Sequence, residues 1–474
     1  MEIHSILTFL ILAIGFYMAW NIGANDVSNA MGTSVGSGAL TLRRAVLIAA
    51  VLEFCGAYFV GANVSETMEH GLVNPASFAA EPMIIILGMS GALLGTSFWL
   101  QIASYFAWPV STTHAIVGAI LGFGIVAGGF EAILWGEVSE IAVSWVVSPL
   151  ISAIISYFVF SFVQKKILYA MDPIEATKRV IPFIFFIVFT TFTLSVIFNG
   201  LQNLDLQVTW IQAVFIALII GGAAAALAYI FIHRMSMPEG YLQPERLHSP
   251  QSVISLDKAI KHLQRVRVSS SNETHERVEA ILKDVKALSL QLREETHFDQ
   301  RSSEYNFVEK IFVYLQIISA CYVAFAHGAN DVANAIGPVA AVLDALQHGS
   351  VSSSTPIPAW LLALGGLGIV IGLATWGWRV IETIGKKITE LTPTRGFCAE
   401  FGAASTILIA SKLGLPISTT HCLVGAVLGV GLARGLSALN LGMLKEIVLS
   451  WLVTIPASAG MSIACFYMLK RIFL

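Results

Sequence analysis

Along most of the chain, runs of about 18–25 apolar positions alternate with short polar breaks, the spacing of helices that cross a bilayer. The runs predict membrane segments at roughly 3–20, 44–64, 83–104, 113–130, 138–163, 180–199 and 210–232. They resume at roughly 309–326, 358–378, 396–411, 420–436 and 446–469, about twelve segments in all. Between the two blocks lies one polar stretch: residues 234–308 carry 22 of the chain's 57 charged side chains. Within it, Ile254, Leu256, Ile260, Leu263 and Val266 fall at helical spacing. So do Val278, Ile281, Leu282, Val285, Leu288 and Leu292, with Ser269-Ser270-Ser271-Asn272 as the break. The spacing predicts a helical hairpin, read as a solvated connector.

Composition strengthens this picture. The 474 residues are 56% hydrophobic and 12% charged, against about 25% charged in soluble domains. The net charge of -3 excludes a basic nucleic-acid-binding face. The five cysteines (Cys55, Cys321, Cys398, Cys422, Cys465) are scattered without CxxC spacing, which argues against zinc and disulfides. The first residues lack a basic stretch and a cleavage site, so they read as a first span rather than a removable signal. Loop charge sets the orientation. Arg43, Arg44, Lys165, Lys166, Lys178 and Arg179 fall on the side of the basic insert. The loops with Glu66, Glu69, Glu81, Glu131, Glu137 and Asp205 contain no Lys or Arg. The expected arrangement is a multi-pass protein of the cell (inner) membrane, N-terminus outside and insert cytoplasmic, with Lys470 and Arg471 mild violations.

Three segments recur in order. Gly23-Ala-Asn-Asp-Val-Ser-Asn-Ala returns at Gly328-Ala-Asn-Asp-Val-Ala-Asn-Ala. Pro109-Val-Ser-Thr-Thr-His returns at Pro416-Ile-Ser-Thr-Thr-His, and Glu140-Ile-Ala-Val-Ser-Trp at Glu446-Ile-Val-Leu-Ser-Trp. The offsets are 305, 307 and 306 residues. The chain therefore divides into a membrane repeat at 1–164, two linking helices at 165–233, the insert at 234–308 and a second repeat at 309–474. Seven crossings precede the second repeat, an odd number, so the copies are expected to be inverted. The expected fold is an all-α polytopic membrane protein of two inverted-topology repeats, with broken helices and re-entrant-like hairpins. Such repeats serve alternating access, with the substrate held where the copies meet.

The repeated motifs carry the chemistry. Ser111-Thr112-Thr113 and Ser418-Thr419-Thr420 each follow a proline and open an apolar helix. One such segment is ordinarily an N-cap. Two brought together offer hydroxyls, free N–H groups and two positive helix ends to one tetrahedral oxyanion. Asn25-Asp26 and Asn330-Asp331 interrupt apolar helices, with Asn29 and Asn334 one turn further along. Carboxylates inside a membrane are functional candidates. With amide and unwound backbone carbonyl oxygens they suit Na+ or a proton. Glu53 and Glu400 lie in apolar segments without a counterpart in the other copy, which suggests coupling; Glu400 has Arg395 as a possible interfacial partner. His114 and His421 read as structural hydrogen-bonders, and Lys412 is left undecided between the anion and the outer surface. A hydrolase triad of Ser111, His114 and Asp26 is disfavoured because the whole set is duplicated.

At these residues the chain resembles the inorganic phosphate transporter family (PiT), whose signature is the duplicated GANDVANA motif at Gly23–Ala30 and Gly328–Ala335. The P-[IV]-S-T-T-H segments and the stretch Thr33-Ser-Val-Gly-Ser-Gly-Ala-Leu-Thr41 are also similar to that family. The resemblance implies a secondary transporter of inorganic phosphate, not an enzyme, in a homodimeric assembly in the bilayer. It implies cation coordination by Asn25, Asp26, Asn330 and Asp331, phosphate binding by the two STT segments, and transport-essential glutamates at Glu53 and Glu400. Ser28 departs from the usual alanine. Asn25 stands where proton-coupled bacterial members carry histidine, so the chain resembles the sodium-coupled branch; Na+ is then the coupling ion and no other cofactor is implied. Proton-coupled phosphate transport and sulfate transport are the alternatives. Phosphate leads because its P–OH needs an acceptor such as Asp26 or Asp331, which sulfate cannot use.

Overall fold

Helix formation follows the apolar runs closely. In the computed structural model the described residues are 2–70, 72–78, 80–200, 208–235, 250–271, 273–295, 302–348, 356–378, 380–381, 391–435 and 441–474. The helices of the first repeat are α1 (Glu2–Gly36), α2 (Leu42–Val60), α3 (Ala62–His70), α4 (Pro82–Tyr105), α5 (Thr112–Gly128) and α6 (Trp135–Val163). Then come α7 (Pro173–Gly200), α8 (Trp210–Arg234), α9 (Pro250–Ser269) and α10 (Glu273–Glu295). The second repeat holds α11 (Ser302–Asp331), α12 (Ala333–His348), α13 (Ala359–Thr375), α14 (Pro393–Lys412), α15 (Thr419–Arg434) and α16 (Leu441–Phe473). Among the described residues seven helices are long and apolar enough to cross a membrane, or eight if the bent pair α2–α3, angled at 64°, is one span. The apolar helices α5, α13 and α15, at 16–17 residues, are shorter than a full crossing.

Broken helices are expected at both GAND motifs, and the copies differ: α1 runs without interruption through Gly23–Ala30, whereas the second motif, Gly328–Ala335, is broken at Val332, between α11 and α12. In the first copy the Asn25 amide group finds partners outside α1, on Ser104 and Trp108, so the backbone need not open to satisfy it. Motif carbonyls are consequently engaged within α1.

The helices cluster into two compact units. One comprises Met1–Val159, Thr190–Leu218 and Val313–Leu474; the other comprises Phe160–Phe189 and Ile219–Phe312. In the second unit α9 and α10 form the expected hairpin. Val253, Val278 and Leu282 are buried there, and Arg293 Nη2 lies 2.7 Å from Asp257 Oδ2. Val266, Ile281 and Leu288 are exposed, because a two-helix hairpin covers a single stripe of each partner.

In the first unit, segments of the two sequence repeats exchange partners. Small residues make this possible. Cβ atoms at Gly425 and Gly429 of α15 would collide with the backbone of Pro149 and Ala153 on α6. Those at Gly118 and Gly122 of α5 would likewise meet Ile455 and Ala459 on α16. The four glycines are two G-x-x-x-G pairs that let backbones meet in an apolar medium. Each STTH helix is thus packed against the last helix of the other repeat. Ser152 Oγ donates to Cys422 O (2.7 Å), and Ser462 Oγ to Ala119 O (2.8 Å).

Candidate functional site

The STT segments begin their helices in the same way. Ser111 has extended backbone (φ -87°, ψ 116°) and accepts the N–H of His114; Ser418 (φ -87°, ψ 111°) accepts that of His421. Both cap bonds measure 3.2 Å. The first intrahelical bonds are Ala115 N–H to Ser111 O and Cys422 N–H to Ser418 O. The N–H groups of Thr112–Thr113 and Thr419–Thr420 therefore precede the helical ladder at the positive end of the dipole. The serines are N-caps, as a lone motif would suggest, yet both caps and all four threonines are buried.

The GAND motifs meet these helix ends reciprocally. Asn29 Nδ2 donates to Thr420 Oγ1 of the other copy (2.8 Å), and Asn334 Nδ2 to Thr113 Oγ1 (3.1 Å). Thr419 Oγ1 donates to Asp331 Oδ2 at 2.9 Å. Thr113 Oγ1 in turn donates to Ile417 O (2.9 Å) and Thr420 Oγ1 to Val110 O (3.5 Å). Behind the motifs, Asn25 Nδ2 donates to Ser104 Oγ (3.0 Å) and Trp108 O (3.3 Å). Asn330 Nδ2 repeats this with Ser411 Oγ (3.1 Å) and Leu415 O (3.2 Å). Glycine is required in both motifs by close approach: a Cβ at Gly23 would strike Ile369 O, and one at Gly328 would strike Glu53 O. Ser28, the departure from the signature, donates to Asn25 O within its own helix (3.0 Å), a bond that asks nothing of the neighbours.

The aspartates of the two copies converge. Ligand atoms of Asp26, Asp331 and His327 lie within 4.8 Å of one another. His327 Nε2 is 3.1 Å from Asp331 Oδ2, and its Nδ1 is 3.3 Å from Glu53 Oε2, all fully buried. Sequence reasoning missed His327. The available signal was that Gly328 is preceded by histidine whereas Gly23 is preceded by Ile22. Glu53 thus belongs to the central cluster. Glu400 does not pair with Arg395. Its carboxylate accepts from Thr33, Ser34, Ser319 and Gln316, a buried pocket of neutral donors. Lys412 donates to Phe198 O at the end of α7 (2.6 Å), where helix carbonyls lack partners.

Several buried polar atoms of the two motifs and the central cluster have no hydrogen-bond partner: Asn25 Oδ1, Asp26 Oδ2, Asn330 Oδ1, Asp331 Oδ1 and Asn334 Oδ1, with both carboxylate oxygens of Glu53 and both ring nitrogens of His327. Orphaned acceptors cost about 1–3 kcal/mol each unless something satisfies them. The oxygen atoms among them are hard ligands of the kind that suit a hard cation such as Na+, and the one nitrogen ligand in reach is His327. Ser111, His114 and Asp26 form no hydrolase relay: neither ring nitrogen of His114 has a hydrogen-bond partner, so it contacts neither Ser111 nor Asp26 in that way. The spacing Gly32-Thr33-Ser34-Val35-Gly36 matches a nucleophile elbow in letters only, since it ends α1 and Ser34 binds Glu400.

Two helix ends and two acidic motifs thus meet at a buried centre of a helical chain with membrane-length spans, and the family and the solved relative it matches make it a transporter rather than an enzyme. The chain belongs to the phosphate transporter family, whose model matches residues 22–462. A Chlamydia pneumoniae protein named provisionally as a phosphate permease is 45% identical over 98% of this chain and 99% of its own length. The inorganic phosphate transporter 2-1, chloroplastic, of Arabidopsis thaliana is 43% identical over 98% of this chain and 73% of its own. A solved structure of a sodium-dependent phosphate transporter superposes with a TM-score of 0.76 at 36% identity, covering 98% of this chain and 99% of that one.

Proposed function

We propose that this phosphate transporter is a sodium:phosphate symporter of the cell membrane working by alternating access. The observation that carries the proposal is the reciprocal meeting of the two STT helix ends with the two Asn/Asp motifs. Phosphate sits between the helix ends, taking N–H and hydroxyl donors from Ser111–Thr113 and Ser418–Thr420. Sodium takes the unpartnered oxygens of Asn25, Asp26, Asn330, Asp331 and Asn334 and offsets the anion's remaining charge. Asn29 and Asn334 tie each cation motif to the opposite anion-binding end, so filling one site orders the other. Glu53 and Glu400 serve coupling. The name of the solved relative, which specifies sodium dependence, supports the choice of ion. The Thr419–Asp331 bond supports phosphate over sulfate, because it places a carboxylate beside the helix end where a P–OH needs an acceptor. The insert is cytoplasmic and the working assembly a homodimer in this reading.

Uptake of labelled phosphate into proteoliposomes tests it. An inward sodium gradient should drive accumulation that excess sulfate does not inhibit. Uptake indifferent to sodium, or equal competition by sulfate, would refute the reading.

A further inference from the structure

The two STTH histidines meet each other. The rings of His114 and His421 lie with centroids 4.4 Å apart at an interplanar angle of 86°, an edge-to-face contact between corresponding residues of the two repeats. Both residues are buried. Each is fixed to its own helix end, because its backbone N–H is the one accepted by the capping serine. The ring contact is thus a short bridge between the two caps. Trp145 on α6 braces it: its ring packs on His114 with centroids 3.9 Å apart, and its Nε1 donates to Pro416 O (3.1 Å), two residues before Ser418.

The side chain of His114 makes no hydrogen bond in this place, so its contribution is contact and shape. A rigid ring pair between two helix ends, beside the Thr113–Ile417 and Thr420–Val110 hydrogen bonds that also join them, limits how far apart those ends stand. If the ends hold one anion together, their separation decides which tetrahedral oxyanion fits. Resting on the anion site proposed above, we infer that His114 and His421 are positioning residues for phosphate: their contact sets the gap of the two-ended anion clamp and so selects for anion size. Neither touches the anion itself, and neither supplies a cation ligand.

The test uses the full-length protein in proteoliposomes, with phosphate and the larger arsenate as competing substrates. His114→Ala and His421→Ala remove the bridge and should raise the phosphate KM about tenfold, the effect of a typical lost contact. The sodium concentration for half-maximal uptake should stay unchanged. His421→Phe adds bulk at the contact and should shift preference toward arsenate, while His421→Gln, close to histidine in volume, should stay nearest the wild type. Combining His114→Ala with His421→Ala should cost less than the sum of the two, since both remove one contact. A role confined to stability would reduce the amount of carrier and leave KM and the arsenate-to-phosphate ratio of the remainder unchanged; that result would overturn the inference. The phenylalanine and glutamine variants decide the matter even if the alanine variants do not fold. Thr112→Val and Thr419→Val separate the two levels. If they raise KM while the histidine variants do not, the bridge alone is wrong. If they too leave KM unchanged, the anion-clamp reading falls and the bridge with it.

Discussion

In the first repeat Ile22 precedes the GAND motif, α1 passes through it unbroken, and Asp26 has no histidine on its own helix beside it. In the second repeat His327 occupies the matching place, one turn before Asp331, and the helix breaks at Val332. The amide contacts of the two copies nevertheless match partner for partner: Ser104 and Trp108 for Asn25, Ser411 and Leu415 for Asn330. The shared contacts position the motifs. The difference lies in charge: one imidazole reaches Asp331 directly and Glu53 across the helix interface, and Asp26 joins the group only by convergence. Duplication thus built the frame, and a single-copy histidine made its centre unequal.

The two copies can be set against each other by substitution, and the aspartates should show the greatest effect. Asp26→Asn and Asp331→Asn should each abolish most sodium-driven phosphate uptake while leaving the helical content intact, measured by uptake and circular dichroism. A normal sodium dependence in either variant would remove that residue from the cation site. Next, His327→Ile copies the first repeat's residue into the second. It strips Glu53 and Asp331 of their buried partner, at a cost of about 3–5 kcal/mol in stability. The matched Ile22→Val should cost only about 0.5–1.5 kcal/mol, and thermal unfolding in detergent compares the two. Below the His327 effect, Thr112→Val and Thr419→Val should each weaken phosphate affinity by about 1.5–3 kcal/mol, or about 10- to 150-fold, and by similar amounts. The smallest effects belong to the frame. Ser104→Ala and Ser411→Ala each remove one acceptor from a motif amide, and each should lose roughly 1 kcal/mol of stability, the worth of one hydrogen bond. Unequal losses would show that the matched contacts do not carry matched weight.

Much of this is legible in the order of residues alone. The apolar runs predict the helices because a span leaves few other options, and the repeat offsets bring out Asn25, Asp26, Thr112 and their counterparts as pairs. The partners are not legible there. Glu400 lies five residues from Arg395 in sequence, yet Thr33, Ser34, Gln316 and Ser319 hold it, an arrangement set by packing of α1 and α11 on α14. Lys412 likewise takes its carbonyl from α7, more than two hundred residues away. His327 escapes a search for repeated residues because it is present in only one copy. Helix breaks are expected at both GAND motifs, and only the second, at Val332, has one. In the first, the Asn25 amide reaches Ser104 and Trp108 from an unbroken helix, contacts that no local pattern reveals.

The central claim is that both repeats grip one phosphate. Equilibrium binding of labelled phosphate to the purified protein, with sodium present and absent, tests it most directly. The account predicts one phosphate per chain, dependent on sodium, with Thr112→Val and Thr419→Val each weakening that single site. Two independent phosphates per chain, each lost with only one of the variants, would contradict it.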